Sequence, residues 1–465
     1  MVLEQYYLGC LAHASYLVAD VAAGVAVVVD PQRDVEQYLE AAARLGVRIR
    51  YVFLTHFHAD FLAGHLELRQ RAGAEICLGS RAQAEYPFRA FADGEELALG
   101  EAGAAVRLQV LHTPGHTPES ITLLVFEPGA QAPAAALTGD TLFIGDVGRP
   151  DLRAALGWPA QALGEMLYDS VHQKLLRLPD ATRIYPAHGA GSLCGKSLSH
   201  ETVSTMGEQR RLNYALQPMS REEFLRLVLA DQPDAPAYFT YDAVLNTRER
   251  ASLEASLAEH LRPMSVEAAL VAQRHRATLL DTRSPAEHAH AHWRAALNIS
   301  LDGAFATWAG SLVPPEASIV IIAHPGRERE AAVRLGRIGF DRILGYLEGG
   351  MAALETHPEL VQERLRVSPQ ELETQRLGGD PPWILDVRTP GERDTGAIAG
   401  STHIPLAQLS ARRAEIPAQR SIVAYCQSGF RSSIAASLLA AWGHAAVADL
   451  EGGFQAWSRI PQVCG

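Results

Sequence analysis

The chain has 465 residues, of which 48% are hydrophobic and 20% charged, which is ordinary globular composition at a length too great for one hydrophobic core. Two to four domains are therefore expected. The 41 basic and 53 acidic residues give a formal net charge of −12, which argues against nucleic acid or an anionic membrane as a partner.

Targeting signals are not evident in the sequence. The N-terminus has no basic run, and the apolar stretch 21–29 ends at Asp30, too short to span a membrane. The cysteines are odd in number and scattered, which favours free thiols in a reducing cytoplasm over a disulfide framework. They are Cys10, Cys77, Cys194, Cys426 and Cys464. We therefore expect a cytoplasmic protein.

The first third of the chain alternates apolar runs with helical patterns. Residues 25–29 and 51–54 have the composition of buried strands, and residues 35–45 have helical spacing. A further strand is predicted at 121–126, and helical patterns at 159–178 and 201–229.

The rest of the chain contains an internal repeat. Residues 279–287 resemble 384–392, and residues 347–350 resemble 450–453 at nearly the same offset. Strand and helix alternate within each unit, which predicts parallel sheets covered by helices. We predict three domains, at residues 1–250, 262–360 and 367–465.

Potential metal ligands follow several of the predicted strands. His56, His58 and Asp60 directly follow the strand at 51–54. His116 lies in a TPGHT turn, Asp140 in a GD pair after a small apolar strand, and His188 in a PAHG turn. Each alone is more typical of a cap or turn, but four such clusters at strand ends predict a shared metal site.

The order H-x-H-x-D, TPGHT, GD and PAHG resembles the metallo-β-lactamase superfamily over residues 1–245. This resemblance implies an αββα sandwich with the metal at one edge of its two sheets. Dinuclear members have a histidine directly after the aspartate of the first motif, where this chain has Phe61. The second metal site is therefore expected to be disabled, which argues against a two-zinc thioesterase of the glyoxalase II type.

His56, His116 and Asp140 remain as the ligand set. Two imidazoles and one carboxylate suit a non-haem Fe(II) oxygenase, and also a catalytic zinc with a bound water. Coordination chemistry leaves both metals open. The same three residues match the ligands of persulfide dioxygenases, and this resemblance implies one Fe(II) per chain. Phe61 departs from those enzymes as well, although not at a ligand position.

Other polar residues of these motifs are candidates for supporting roles. His58, Asp60 and His188 would orient the ligands or bind substrate, unless they only satisfy local hydrogen bonds. The Gly148–Asp151 segment resembles a family segment near the metal, and Arg149 would bind a substrate carboxylate or else pair with Asp151. Cys194 follows His188 and precedes Lys196, which makes it a candidate sulfur relay or a structural thiol.

A second chemical signature lies near the C-terminus. Cys426 is placed between an apolar strand at 422–424 and a helical run from about residue 432, where backbone N–H groups and the helix dipole favour an anionic sulfur. Four residues separate Cys426 from Arg431, one fewer than in phosphatases of similar design. This loop resembles the catalytic loop of rhodaneses, which implies catalytic roles for Cys426 and Arg431. In the first repeat His324 takes the place of the cysteine, so that repeat is predicted to be inactive.

The sequence therefore predicts an α/β persulfide dioxygenase fused to tandem rhodanese domains. The resemblance implies a low-molecular-weight persulfide and O₂ as substrates, sulfite and thiosulfate as products or acceptors, and a homo-oligomer. The alternatives are a mononuclear zinc thioester hydrolase of glyoxalase II type and a non-enzymatic sulfur carrier.

Overall fold

The computed structural model describes residues 1–101, 103–196, 198–230, 232 and 235–460, so that Cys464 lies outside the described residues. The chain forms two compact units, one containing Met1–Ala255 with Gly336–Gly339 and the other containing the described residues from Ser256 onward except that short segment. Within these described ranges, no helix is both long enough and apolar enough to cross a membrane.

The first unit contains two six-stranded sheets. The first sheet has strands in the order β1 (Val2–Leu8), β2 (His13–Asp20), β3 (Val25–Val29), β4 (Arg48–Phe53), β5 (Glu75–Gly79) and β6 (Arg89–Phe91). In the second sheet the order is reversed, from β12 (Ser204–Thr205) through β11 (Arg183–Pro186), β10 (Ala135–Gly139), β9 (Ile121–Phe126) and β8 (Arg107–His112) to β7 (Glu96–Ala98).

Helices accompany both sheets of this unit. They are α1 (Glu36–Leu45), α2 (His65–Ala72), α3 (Ala160–Asp169), α4 (Met206–Leu212), α5 (Arg221–Leu229) and α6 (Tyr238–Leu245), and α7 (Leu253–His260) contains the boundary between the units.

The inner faces of the two sheets share one hydrophobic core. Val27 and Phe53 of the first sheet pack with Leu108, Leu123 and Leu137 of the second. Strand β8 shows the reason in its sequence, because every second residue is apolar or aromatic and buried. On its other face, the second sheet packs against α3 and α5 through a separate cluster that includes Leu167 and Phe224. The αββα sandwich expected from the resemblance is confirmed.

The second unit contains two parallel five-stranded sheets. The first has the order β13 (Pro263–Met264), β18 (Ile343–Leu347), β17 (Ile319–Ile322), β14 (Thr278–Asp281) and β16 (Leu297–Asn298). The other has the order β20 (Leu365–Val367), β24 (Val447–Leu450), β23 (Ile422–Tyr425), β21 (Trp383–Asp386) and β22 (Thr402–His403). Strands β15 (His292–Trp293) and β19 (Val361–Gln362) form a separate antiparallel pair.

The helices of the second unit follow the strands in sequence. They are α8 (Val266–Arg274), α9 (Pro285–His290), α10 (Phe305–Leu312), α11 (Glu328–Gly336), α12 (Pro369–Arg376), α13 (Pro390–Asp394), α14 (Phe430–Ala441) and α15 (Gly453–Trp457).

The internal repeat is reproduced at the level of individual hydrogen bonds. The Arg283 backbone N–H and side-chain Nε both donate to Asp281, each at 3.0 Å. Arg388 makes the same two bonds to Asp386 at the same distances. The parallel α/β architecture predicted for both repeats is confirmed.

The predicted helical regions are more broken than the sequence patterns suggest. In residues 159–178, α3 gives way to a π-helical turn at Ser170–Lys174 and a 3₁₀ turn at Leu175–Arg177. In residues 201–229, the short strand β12 precedes two separate helices. The Thr205 hydroxyl accepts the Glu208 N–H at the start of α4, and the Ser220 hydroxyl accepts the Glu223 N–H at the start of α5.

Candidate functional sites

The structure brings His56, His116 and Asp140 together at one edge of the sandwich. The Nε2 atoms of His56 and His116 lie 3.7 and 3.4 Å from the same oxygen, Asp140 Oδ2. The two imidazole rings are nearly perpendicular, with centroids 5.0 Å apart. All three side chains are buried, and their ligand atoms lie within 4.8 Å of one another. Each could therefore offer one atom to a single ion.

The opposite edges of the two imidazoles are fixed by hydrogen bonds. His56 Nδ1 lies 3.0 Å from the Thr55 hydroxyl, and His116 Nδ1 lies 2.9 Å from the carbonyl oxygen of Arg149. Such bonds set the ring orientation and leave Nε2 to face the site. Burial lowers the pKa of His116, and lowers that of His56 well below its usual range. A lowered pKa favours the neutral imidazole, which is the form that binds a metal.

The carboxylate of Asp140 provides the clearest indication that a cation belongs here. No N–H or O–H group of the described residues donates a hydrogen bond to either of its oxygens, although the residue is 1% exposed. A buried carboxylate that receives no N–H or O–H donor is costly, because such donors would replace the water that it has lost. A metal ion held by His56, His116 and Asp140 would supply the missing partner.

His58 packs beside this set, with its ring centroid 4.1 Å from that of His56, and contacts Asp30. Its Nε2 lies 2.9 Å from Asp30 Oδ1, and the same carboxylate accepts the N–H and hydroxyl of Thr55. Burial by itself lowers the pKa of His58, but the Asp30 carboxylate outweighs burial and the net pKa is raised. Asp30, which follows β3, therefore holds both His58 and the residue that orients His56.

Asp60 and His188 lie in a second buried group with His58. His188 Nε2 is 3.5 Å from Asp60 Oδ2 and 3.7 Å from Asp140 Oδ1, while its Nδ1 lies 3.2 Å from the Ala12 carbonyl. Burial raises the pKa of the Asp60 carboxyl. These residues lie next to the three-ligand set, and Asp140 and His188 also form a further buried group with Cys194.

Phe61 fills the space beside this second group with an apolar ring. The ring is 1% exposed, and its centroid lies 4.4 Å from that of His58 and 3.9 Å from that of His13. His13 is completely buried, and neither of its ring nitrogens has a hydrogen-bond partner among the described residues. Sequence analysis missed His13, because it lies 45 positions before His58 and approaches only through strand β2.

Arg149 and Cys194 both lie close to the ligand set. The Arg149 guanidinium forms a two-point ion pair with Asp151, at 2.8 and 2.6 Å, and also donates to the Leu193 carbonyl. This ion pair with Asp151 is one of the two roles considered for Arg149. Cys194 Sγ lies within 4.8 Å of ligand atoms of Asp140 and His188.

The surroundings of Cys194 favour its thiol form over the thiolate. Burial raises its pKa well above the usual value, and the nearby Asp60 and Asp140 carboxylates raise it further. Lys196, which the sequence places beside it, instead donates its ammonium group to the Leu227 carbonyl at 2.6 Å. The Lys196 ammonium group is therefore hydrogen-bonded to the main chain of α5.

In the second unit, Cys426 lies directly after β23 and before the N-terminus of α14. Its buried Sγ accepts a hydrogen bond from the Gly429 N–H at 3.1 Å, and the Ser432 hydroxyl lies 3.6 Å away. Gly453 packs directly against this loop, and a Cβ added to it would lie 2.3 Å from the Cys426 carbonyl oxygen. Only glycine allows this close approach of the two backbones.

Arg431 lies in the same loop region and is already paired. Its two terminal nitrogens donate to the Glu392 carboxylate at 2.7 and 2.5 Å. Although burial opposes ionisation, the bonds from Arg431 and from the Thr389 N–H hold the pKa of Glu392 at about 2. Sequence analysis missed Glu392; the signal for its orientation was the Thr389–Glu392 capping box at the start of α13.

In the first repeat the equivalent acidic residue has a different partner. Glu287 occupies the position of Glu392, and its Oε1 lies 3.0 Å from Nε2 of His324. His324 takes the position of the cysteine, and its imidazole contacts the residue that corresponds to the arginine's partner in the other repeat. Both side chains are more than 40% exposed. This loop contains no thiol at the reactive position.

Two family models match separate parts of the chain. The metallo-beta-lactamase superfamily model matches residues 8–188, and the rhodanese-like domain model matches residues 265–357 and 368–460. The mitochondrial persulfide dioxygenase ETHE1 of Bos taurus is 34% identical over 222 residues, which cover 46% of this chain and 75% of that protein. The chain belongs to the metallo-β-lactamase superfamily. It also carries two rhodanese-like domains in tandem.

Two further relatives extend the comparison. A metallo-beta-lactamase from Staphylococcus aureus subsp. aureus COL has a solved structure that is 29% identical, with a TM-score of 0.65, and the match covers 74% of this chain and 98% of that one. The cytoplasmic hydroxyacylglutathione hydrolase of Arabidopsis thaliana is 31% identical over 185 residues, which cover 39% of this chain and 66% of that protein.

Another residue missed by sequence analysis stabilises the loop that carries His58 and Phe61 in the metallo-β-lactamase domain. Asn246, just after α6, donates hydrogen bonds to the carbonyls of His58 and Phe61 at 2.9 and 2.8 Å. Its side-chain oxygen accepts the Ala63 N–H. Asn246 lies 188 positions from His58, so local sequence carried no signal for this role.

Proposed function

We propose that this protein is a persulfide dioxygenase with a sulfurtransferase domain, acting in sulfide detoxification. The observation that carries the proposal is the grouping of His56, His116 and Asp140, in which the buried Asp140 carboxylate receives no N–H or O–H donor from the described residues. Phe61 takes the place of the histidine that dinuclear relatives use. This arrangement favours one metal ion with open positions for substrate. The similarity to persulfide dioxygenase ETHE1 favours Fe(II) in that position, one ion per chain.

The proposed reaction converts a low-molecular-weight persulfide, O₂ and water into a thiol and sulfite. The terminal sulfur loses four electrons and O₂ gains them, so that no further oxidant is needed. Bound Fe(II) would supply the activation of O₂ that organic side chains cannot provide. His56, His116 and Asp140 hold the ion, and the Thr55 hydroxyl and the Arg149 carbonyl fix the two imidazoles. His58, Asp60, His188 and Arg149 are proposed as supporting groups around this centre.

The second rhodanese-like domain is proposed to transfer sulfur through Cys426. The Cys426 thiolate attacks the outer sulfur of a persulfide, forming a new S–S bond as the carrier leaves as a thiol. Sulfite then attacks that outer sulfur to give thiosulfate and regenerates the thiolate. The Gly429 N–H and the start of α14 stabilise the anionic sulfur. Arg431, fixed by Glu392, adds positive charge to the loop.

Cys194 is proposed as a sulfur relay because its Sγ lies beside Asp140 and His188. We expect the Cys194 thiol to become persulfidated during turnover, as detected by mass spectrometry of trapped protein. Absence of that modification would leave Cys194 as a structural thiol.

The proposed domains are residues 1–250, 262–360 and 367–465, of which the middle domain is inactive. Fusion of a sulfite-producing domain to a sulfite-consuming one raises the effective concentration of the intermediate. We further propose that the protein is a cytoplasmic homo-oligomer. Light scattering of the purified protein, which measures its molar mass in solution, tests the oligomeric state.

Oxygen uptake by Fe(II)-loaded protein tests the dioxygenase proposal. We expect O₂ consumption with glutathione persulfide, sulfite as product, and loss of both in His116→Ala. Cys426→Ser is the matched variant: it should retain O₂ uptake and lose thiosulfate:cyanide sulfur transfer, whereas Cys10→Ser should retain both. Unchanged sulfur transfer in Cys426→Ser would show that the nucleophile is assigned wrongly.

The second candidate function is a mononuclear zinc thioester hydrolase. It is favoured by the similarity to hydroxyacylglutathione hydrolase and by a ligand set that also suits zinc. The protein would be assigned as this hydrolase if its zinc-loaded form cleaved S-lactoylglutathione and its iron-loaded form consumed no O₂. Sulfur transfer without either activity would favour the third candidate, a sulfur carrier.

A further inference from the structure

The peptide group of Phe57, between His56 and His58, is held on both sides by a buried ion pair. Its N–H donates to Glu119 Oε1 at 3.1 Å, and its carbonyl accepts from Arg153 at 2.7 Å. Arg153 also donates to the same Glu119 oxygen at 3.3 Å. Glu119 is 8% exposed and Arg153 is 6% exposed. One carboxylate oxygen and one guanidinium thus engage both polar atoms of this peptide.

These contacts join the segments that carry His56 and His116 to a third segment that packs against Asp140. Phe57 directly follows His56, and Glu119 lies three residues after His116. Arg153 ends the segment that begins at Gly148, where an added Cβ would lie 1.9 Å from the Asp140 carbonyl oxygen and 3.1 Å from His116 Cβ. The segment 148–153 therefore touches the loops of all three candidate ligands.

We propose that Glu119 and Arg153 are positioning residues for the metal centre. By fixing the Phe57 peptide, they set His56 at the right separation from His116 and Asp140. The inference rests on the part of the proposed function that places one metal ion on these three ligands. It assigns neither residue to contact with the metal or the substrate.

The physical reason is the geometry that a metal requires. His56 lies three residues beyond the end of β4, and the main chain just before it is held where the Thr55 carbonyl accepts the Ile121 N–H at 2.8 Å. The Nδ1 bond of His56 fixes its ring but not its backbone. A hydrogen-bonded ion pair fixes both the position and the tilt of the adjoining peptide, and loss of such supporting contacts typically weakens metal binding about 10–100-fold.

Cobalt(II) is the probe, because its visible absorption reports ligand geometry independently of oxygen chemistry. Single removal of either partner would leave a buried charge, so the main variant is the neutral double replacement Glu119→Gln with Arg153→Met. We expect its Co(II) dissociation constant to rise by about tenfold or more, with altered absorption bands. Glu119→Gln alone retains an oxygen for the Phe57 N–H and should bind Co(II) more tightly than Glu119→Ala.

Arg71→Ala is the matched control, because Arg71 forms a surface pair with Glu36 in the same domain. It should leave the affinity and the spectrum unchanged. Melting of each metal-free protein separates positioning from general stability. Wild-type Co(II) affinity and bands in the double variant would overturn the proposal, as would equal affinities in Glu119→Gln and Glu119→Ala. The proposal would also be overturned if the metal-free double variant proved to be unfolded, because loss of the fold would then account for its weaker Co(II) binding.

Failure of this inference is distinguishable from failure of the proposed function. Wild-type protein that binds no Co(II) would contradict the metal centre and with it the positioning role. Wild-type protein that binds Co(II) tightly but consumes no O₂ when loaded with Fe(II) would contradict only the dioxygenase.

Discussion

The two terminal nitrogens of Arg431 are both bonded to the carboxylate of Glu392, 39 positions earlier in the chain. The acidic residue at the same position in the first repeat, Glu287, is paired with His324 instead. The acidic residue at one structural position therefore pairs with Arg431, near Cys426, in one repeat and with an imidazole in the other. The two pairs give different predictions.

The Arg431–Glu392 pair should make the free energy of unfolding depend on pH in the acidic range. The pKa of Glu392 is lowered from 4.5 to about 2, so the folded state binds this proton less readily than the unfolded state. The stabilisation is therefore complete above pH 4.5 and is lost as the pH falls towards 2. We expect Glu392→Gln to cost about 1–3 kcal/mol at pH 7, and this deficit to shrink below pH 4.5. Urea unfolding across pH 2.5–7 measures it; a deficit that does not change with pH would contradict the prediction.

The His324–Glu287 pair should contribute little. Its side chains are 47% and 44% exposed, and water screens the attraction between such groups. We expect His324→Ala to change the free energy of unfolding by less than about 1 kcal/mol and to leave sulfur transfer unchanged. Denaturant unfolding and the thiosulfate:cyanide assay check both points. Loss of transfer in this variant would assign a catalytic role to the first repeat.

Asp140 should destabilise the protein when no metal is bound. Its two oxygens are buried and receive no hydrogen bond from N–H or O–H groups of the described residues, so replacement by asparagine removes an uncompensated charge. We expect metal-free Asp140→Asn to melt at a higher temperature than the metal-free wild type. Added metal should raise the melting temperature of the wild type only. Calorimetry with and without a chelator tests this, and a lower melting temperature for the metal-free variant would oppose the assignment.

Phe61 should control how many ions the site holds. Its ring lies against His58 and His13, beside Asp60 and His188, so a histidine here would add a ligand to that group. We expect Phe61→His to raise the bound metal from one ion towards two per chain, and Phe61→Leu to leave it at one. Metal analysis after dialysis decides between these outcomes. Two ions in the wild-type protein would show that the phenylalanine does not prevent binding at the second position.

The candidate ligands could be found from sequence because each is a metal-binding residue type directly after a strand. His56, His116 and Asp140 were identified in this way, and the structure places them together. Their supports could not be found, because Asp30, His13 and Asn246 reach the motif only through the folded sandwich. Spacing along the chain carries no information about such contacts.

The same distinction holds for the fold. The sandwich and the parallel repeats followed from alternating apolar runs and from the internal repeat. The interrupted region 201–229 was predicted as helical, because α4 and α5 both have helical spacing and the breaks are short. Thr205 and Ser220 could have located the two helix starts, since each precedes a glutamate by three positions.

The unpartnered oxygens of Asp140 also bear on how much of this protein a cell retains. A chain that folds without a metal ion buries this carboxylate at a free-energy cost that the metal-bound form does not have. Chains made during metal shortage would open more often and be exposed to proteolysis for longer. Metal supply would then set the lifetime of the protein, and recovery from shortage would require new synthesis as well as reloading of the surviving chains.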